Sequence, residues 1–539
     1  MLMLCLFVGT VAFSQETEKE VFLIVSRPQF REGLQSFVQW KRQEGFDVEE
    51  LYVDTNSCFM VKALMQPLFD STSTHNSMPR YTLLVGDHEQ LEAFLGSMPF
   101  NGESHFTDLP YSDFFGDYRP ETMLGRWPVN DTAELRTVVE KTLRYEQFID
   151  MDPLQLQRVL LVAGREYGSP APTTTNGQVN YLKHEVKSAH PDIDTLCWYN
   201  PTSDSQEVSI VTAIGQGACF LNYTGHGIFD GWTHPTMRAN MIADAGTTQP
   251  MVYVNNCCQS NAFTGTGFGE LLLRIPRGGA AGVIGATNST LWAEDYYWAV
   301  GAKDTLCLNP TYDSNALGAF DGLVGLQRTT ATLGELLRNG NLAVSASGSS
   351  YTQYYWEIYC LLGDPSLKPW IGAPREIDLT VDSVYTGQSE VSVSGTPGVR
   401  VTAVQGRDLL GVADIDNTGQ AVIELRRALN TQPLIVTATG LDLIPHIETL
   451  VTDTTIGITE IDNSKIKFDI YPNPASSDIT IHVGQPTTIT VLDLQGHFVI
   501  PATLISSSLI IQRPSLRPGI YFVTGVTAKG TVCRKIIIK

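Results

Sequence analysis

Pro250-Met251-Val252-Tyr253-Val254-Asn255-Asn256-Cys257-Cys258 is a short run rich in strand-favouring residues that closes on two thiols. A second such run, Ala218-Cys219-Phe220-Leu221-Asn222-Tyr223-Thr224-Gly225-His226-Gly227, closes on a histidine between two glycines, and a stretch of helical character around 237–245 lies between them. Strand, helix, strand is the layout of a βαβ crossover. Such a unit sets its strands parallel, so His226 and Cys258 are predicted to emerge side by side at the carboxyl edge of an α/β sheet, where open sheets bind ligands.

A thiol and an imidazole at one sheet edge make a nucleophile and its base. The thiolate is the reactive species, and a nearby imidazole either takes the thiol proton or holds the thiolate as an ion pair. The glycines let the backbone turn after the strand and approach a substrate, and the amides of Gly227 and Cys258 are candidate oxyanion donors. Successive strand residues face opposite sides, so only one of Cys257 and Cys258 looks into the cleft; Cys258 is the candidate nucleophile and Cys257 is packing. A disulfide between adjacent residues is strained. Cys58, Cys197, Cys219, Cys307, Cys360 and Cys533 lack metal-ligand spacing, so zinc is not indicated.

The segments Asn222-Tyr223-Thr224-Gly225-His226-Gly227, Asn256-Cys257-Cys258 and Trp292-Ala293-Glu294-Asp295-Tyr296-Tyr297-Trp298 resemble the gingipain family of cysteine peptidases, of the caspase-like clan. Phe37-Val38-Gln39-Trp40-Lys41, Leu83-Leu84-Val85-Gly86-Asp87-His88, Leu124-Gly125-Arg126 and Leu362-Gly363-Asp364-Pro365-Ser366 are also similar and follow the family's order, so the likeness covers roughly residues 20–372. The resemblance implies Cys258 as nucleophile, His226 as general base and Glu166 as a third member near the imidazole. Glu166 follows the apolar run Val159-Leu160-Leu161-Val162-Ala163-Gly164, so it too is expected at a strand end, where a carboxylate could orient His226. Its alternative is a solvated loop acid or a partner for Arg165. Trp292 matches a tryptophan that in the family borders the pocket for the residue before the scissile bond.

The gingipains cut after Arg or Lys through an aspartate whose place here falls on Asn180. An amide cannot supply that charge, and losing a desolvated carboxylate–guanidinium pair costs several kcal/mol, so strict Arg/Lys specificity is not expected. Gln178 and Asn180 are the candidates for reading a polar side chain. Gingipain-like enzymes also bind structural calcium, but no loop here has a diagnostic calcium spacing, and the chemistry itself calls for no cofactor.

The remainder bounds the setting. A chain of 539 residues, 43% hydrophobic and 17% charged, supports several packed cores, and a net charge of -21 argues against nucleic acid or anionic membrane as electrostatic partners. Nine cysteines at irregular spacing form no disulfide framework. Residues 1–14 read as a secretory signal peptide, and no later segment reads as transmembrane. The first predicted strand, Val21-Phe22-Leu23-Ile24-Val25, follows almost at once, so a long inhibitory propeptide of the gingipain kind is not expected between them, which leaves restraint by another route, a truncated gene model or an enzyme that is not a zymogen; an amphipathic helix is predicted around 34–42.

The expected fold is therefore an α/β caspase-like region of two subdomains, 15–155 and 156–374, followed by two β-sandwiches. Short alternating strands broken by Gly, Asp and Asn turns predict an immunoglobulin-like β-sandwich over 375–455, serving as spacer, pedestal or binding module. Residues 465–539 open on Phe468-Asp469-Ile470-Tyr471-Pro472-Asn473-Pro474 and close on Leu516-Arg517-Pro518-Gly519-Ile520-Tyr521-Phe522-Val523 and Lys535-Ile536-Ile537-Ile538-Lys539. These motifs resemble the C-terminal sorting domain of the type IX secretion system, which implies that machinery as a partner and a secreted or surface location; another adhesive sandwich is the alternative. The reading is a cysteine endopeptidase acting on protein or peptide substrates. A transpeptidase of the sortase type and a non-catalytic adhesin on the same scaffold are the alternatives.

Overall fold

The computed structural model describes residues 20–70, 78–99, 101–166, 173–303, 305–324, 332–452, 467–493, 497–527 and 530–539. The expected signal peptide, 1–14, lies outside them. The chain divides into two compact units, Met1–Asp453 and Thr454–Lys539.

The first unit is built on one ten-stranded sheet. Its strands are β1 (Val21–Ser26), β2 (Asp47–Tyr52), β3 (Pro79–Val85), β4 (Met123–Trp127), β5 (Arg158–Ala163), β6 (Asp194–Trp198), β7 (Phe220–Thr224), β8 (Met251–Asn256), β9 (Ala280–Ala286) and β10 (Tyr359–Gly363), in the spatial order β2-β1-β3-β4-β10-β9-β8-β7-β5-β6. Central strands such as β1, β7, β8 and β9 are buried along their whole length, which is why they read as continuous apolar runs with little alternation. The expected two subdomains share this sheet. β1 to β4 run with β10, β10 runs antiparallel to β9, and the halves join through the pair Leu362↔Arg126.

The helices that bear on the site are α1 (Arg31–Gln43), α2 (Thr132–Glu146), α3 (Thr174–Ala189), α4 (Trp292–Val300) and α5 (Thr352–Ile358). α1 buries Leu34, Phe37, Val38 and Trp40 at helical spacing, and it extends a little beyond the stretch expected from sequence at each end. The crossover between β7 and β8 holds the expected helix in shortened form, Ala239–Asp244. Before it the chain makes a three-stranded meander over Gly227–Ile228, Gly231–Thr233 and Thr236–Arg238. Trp232 of that meander stacks on Tyr223 at 4.1 Å between ring centroids and donates to Asn255 Oδ1, so the insertion is packed onto β7 and β8.

Residues 375–450 form a sandwich of a five-stranded and a three-stranded sheet around Val391, Val401, Ile423 and Val436. It is docked on α1: Thr402 Oγ1 donates to Gln43 O at 2.6 Å, Gln39 Nε2 donates to Gly406 O, and Arg426 makes a two-armed pair with Asp47. Gly45, just past α1, has φ +100 and leaves only 3.3 Å between an added Cβ and Thr402 Cγ2, so a side chain there would be strained twice over.

The second unit is a separate sandwich, with a three-stranded sheet (468–471, 479–483, 508–511) and a four-stranded one (487–492, 498–505, 519–527, 530–538). Ile479, Ile481, Val491, Val523 and Ile536 fill its core, and the last strand pairs antiparallel with 519–527 along its length.

Candidate active site

β7 and β8 are parallel neighbours with Thr224 opposite Asn256. His226 and Cys258 each lie two residues beyond that pair, on strands separated by about 4.8 Å. The register thus brings the two sequence-predicted groups to one place. Gly227 seals the arrangement: a Cβ there would lie 2.2 Å from Cys258 O and 2.6 Å from Cys257 Sγ. Gly225 is held equally tightly, 2.7 Å from the Tyr223 hydroxyl. Neither glycine has a left-handed backbone, so close approach is what requires them.

Cys257 is fully buried and Cys258 is partly exposed; both lie in the turn just past β8, so the turn and not the expected strand alternation sets them apart. The loop carrying His226 is tied down through its carbonyl, which accepts from Tyr223 Oη at 2.8 Å and from the Thr233 amide at 3.2 Å. Trp292, the first residue of α4, sets its indole edge-on to the imidazole, with centroids 5.0 Å apart.

The structure adds residues that the sequence reading left without a role. Thr290, in the loop after β9, donates its amide to Cys258 Sγ at 3.2 Å, and its hydroxyl donates to Asp295 Oδ2 at 2.7 Å. Asp295 Oδ1 accepts from Tyr355 and Tyr359, each at 2.8 Å. Asn256 Nδ2 donates both to Asp295 O and to Gln178 Oε1, and the one Tyr359 hydroxyl hydrogen is shared between Asp295 Oδ1 and Asn256 Oδ1. One buried network therefore joins the ends of β8 and β9 and the start of β10. Its sequence signal was the polar run Asn288-Ser289-Thr290 at a third strand end, directly after the apolar run of β9.

Electrostatics follow from this packing. Burial pushes the Cys258 thiol up, the Asp295 charge adds to that, and the amides of Thr290 and Gly227 oppose it. Burial lowers the His226 imidazole, and His234 and Arg165 lower it further. Burial drives the Asp295 carboxyl up to about 7, against the three hydroxyls that hold it down. Both the thiol and the imidazole are thus biased toward their neutral forms.

Glu166 lies just beyond β5, as expected, but its carboxylate accepts from the amides of Thr174 and Thr175 in the first turn of α3. It therefore serves the exposed donors of a helix start. Gln178 is fully buried and reaches the network through Asn256, whereas Asn180 donates to Leu308 O and Asn309 Oδ1. Two residues along a helix turn the side chain through about 200°, so the two amides of α3 face different surroundings.

Among the described residues one group of carboxylates has metal-like spacing, Asp113, Asp117 and Glu121. Asp113 is already committed to the amides of Gly116, Asp117 and Tyr118, and Glu121 to that of Phe114. Calcium takes roughly six to eight oxygens, so three carboxylates would need main-chain carbonyls or waters to complete a site. No helix of the described residues is long and apolar enough to cross a membrane.

The family model for peptidase family C25 matches residues 15–370, and that for the secretion system C-terminal sorting domain matches 469–539. Lys-gingipain W83 of Porphyromonas gingivalis is 27% identical over 450 residues, which cover 79% of this chain and 25% of that protein. Gingipain R2 of the same species is 22% identical over 544 residues, covering 97% of this chain and 68% of its own. Among solved structures, one described as "Structure of Protease" superposes with a TM-score of 0.73 at 26% identity, covering 80% of this chain and 97% of its own. The Arg-specific cysteine proteinase gingipain R superposes at 0.70 and 20% identity, covering 81% of this chain and 99% of its own, a likeness of fold. The match spans about a quarter of the length of the Lys-gingipains.

Proposed function

The chain belongs to peptidase family C25, the gingipain family of cysteine peptidases, and we propose from that premise that it is an endopeptidase in which Cys258 is the nucleophile and His226 its base. It carries a type IX secretion sorting domain, which marks it for export to the cell surface. The observation that carries the proposal is the register of β7 and β8, which sets the two groups equally far beyond Thr224 and Asn256.

With thiol and imidazole both biased to neutrality, His226 acts as a general base. Cys258 Sγ attacks the peptide carbonyl as its proton passes to His226, and the Gly227 and Cys258 amides receive the oxyanion. The tetrahedral species expels the amine, which takes the proton from the imidazolium. Water then cleaves the thioester by the same base and returns the free thiol with a carboxylic acid product. In this proposal Trp292 orients the imidazole and borders the pocket, Gln178 and Asn256 brace the end of β8 from beneath, and Glu166 fixes the start of α3.

On specificity, the proposal is cleavage without a strict Arg or Lys requirement, since Asn180 carries no charge and is bound to the 308–309 segment. A second reading, preference for lysine, is favoured by Asp295: it places a buried carboxyl one residue's reach from Cys258, and the Lys-gingipains are relatives. A peptide library varied at the residue before the scissile bond, cut by wild type and by Cys258→Ala under reducing conditions, tests both. Cleavage after many residues, lost in Cys258→Ala, supports the first; cleavage confined to lysine supports the second. Equal activity in the two proteins removes the nucleophile assignment. A new amide product on adding an amine nucleophile would turn the reading toward a transpeptidase.

A further inference from the structure

The nucleophile and its base reach the site on supports of different stiffness. Past Cys258 the chain is bolted to the sheet: the amides of Gln259 and Asn261 donate to Asn288 O and Ala286 O, each at 3.0 Å, and Asn261 Nδ2 donates to Val283 O at 3.1 Å and Cys360 O at 3.3 Å. His226 instead leads into a two-stranded hairpin, in which Gly227 pairs with Trp232 and Ile228 with Gly231, and whose tip carries the exposed Ile228 and Asp230. Trp232, stacked on Tyr223, holds the returning strand. On the outgoing strand the His226 carbonyl is held by Tyr223 and Thr233, which fixes one point of the chain. One point fixes no direction: the lines of the His226 Cα–Cβ bond and of the Gly227 N–H depend on where the chain goes next.

Phe229 supplies the second point. Its carbonyl accepts from Phe268 N at 3.0 Å, and its ring lies over Gly265 and Gly267, 3.4 and 3.7 Å from where a Cβ would sit on each. Gly265 has φ +72, a left-handed turn that brings bare main chain under the ring. Phe268 also sets its ring edge-on to Trp232, with centroids 6.2 Å apart, so both strands of the hairpin touch the start of one helix, Phe268–Arg274. That helix is tied back to the residues just past the thiol, Gly269 N donating to Ser260 O at 2.8 Å.

We propose that Phe229 is a positioning residue, a latch that fastens the hairpin leaving His226 onto the segment that follows Cys258 and so fixes the angle at which the imidazole and the Gly227 amide face the thiol. Phe229 lies three residues past His226, about 10 Å of extended chain, so a swing of the released tip turns the main chain at 226–227. Orientation of a reacting group acts on the rate within the bound complex. The latch therefore bears on kcat and spares substrate binding. The inference rests on Cys258 and His226 being nucleophile and base.

The test is steady-state cleavage of one peptide by the full chain, with the rate of Cys258 alkylation by iodoacetamide at neutral pH read alongside. Wild type, Phe229→Ala, Phe229→Leu, Asp230→Asn, His226→Ala and the double variant Phe229→Ala with His226→Ala are compared. Phe229→Ala is expected to lower kcat about tenfold with KM within about twofold of wild type. Phe229→Leu, which keeps apolar bulk over the glycines, is expected to lose about threefold in kcat and serves if Phe229→Ala does not fold. Asp230→Asn, at the same tip, is expected to match wild type. Because Phe229 acts through His226, its removal slows alkylation when the imidazole is present and adds nothing once it is gone. A merely structural contact would lower the denaturant midpoint and leave kcat of the folded protein unchanged. Unchanged kcat in both Phe229 variants, an equal loss in Asp230→Asn, or a further slowing in the double variant overturns the latch and leaves the base in place. Cleavage and alkylation at wild-type rates in His226→Ala overturn the underlying reading instead.

Discussion

The amide of Thr290 donates to Cys258 Sγ over 3.2 Å, and through its hydroxyl Thr290 rests on the buried Asp295. The thiol thus has a main-chain donor from the loop that follows β9, the sheet neighbour of its own strand. A sulfur beside such an amide gains stabilisation for its thiolate only as that charge forms, which suits a site whose resting thiol is neutral.

Cys258→Ala and His226→Ala should each lower kcat/KM by at least roughly 10³-fold, and the double variant should lose little more than the worse single one, because base and nucleophile act as a unit. Rates on one peptide substrate for the three proteins check this. Multiplicative losses would mean that the two side chains act separately.

Asp295→Asn should move the alkylation of Cys258 to lower pH. Above about 7 the Asp295 carboxylate is ionised, and its charge opposes the thiolate; the amide keeps the volume and removes that opposition. Iodoacetamide labelling rates across pH give the answer directly, and an unchanged or upward midpoint would show that Asp295 does not act on the sulfur.

Glu166→Ala should cost about 1 kcal/mol in a denaturant titration, the usual effect of removing a carboxylate from a helix start, and less than tenfold in kcat. A loss of activity approaching that of His226→Ala, without a stability change, would return Glu166 to the imidazole.

Lys141 on α2 is fully buried, and burial alone pushes it down to about 7, with its ammonium nitrogen donating to Leu273 O and Ile275 O. The unfolded chain keeps its proton up to about 10.4, so between these values the unfolded state binds the extra proton and stability rises with pH by up to about 1.4 kcal/mol per unit. Lys141→Met should remove that rise. Denaturant unfolding of both proteins at several pH values between 7 and 10 measures the difference, and parallel curves would show that Lys141 does not titrate there.

Along the chain alone, the buried strands and the polar or reactive residue that follows each of them are already legible. The continuous apolar runs of β5, β7 and β8 show where buried strands lie, because strands covered on both faces admit few polar residues. The reactive groups follow directly, so Glu166, His226 and Cys258 were legible as strand-end residues. The turn-broken alternation after residue 375 likewise gave the two sandwiches. Only the tertiary structure decided what each group faces. Tyr359 meets Asn256 across 103 residues because β10, last in the chain, is inserted beside β9, and this creates the Asp295 network beneath the thiol. Glu166 turns to α3 and Asn180 to the 308–309 segment because hydrogen-bond partners are set by which backbone passes within about 3 Å, a fact of packing that local periodicity does not carry.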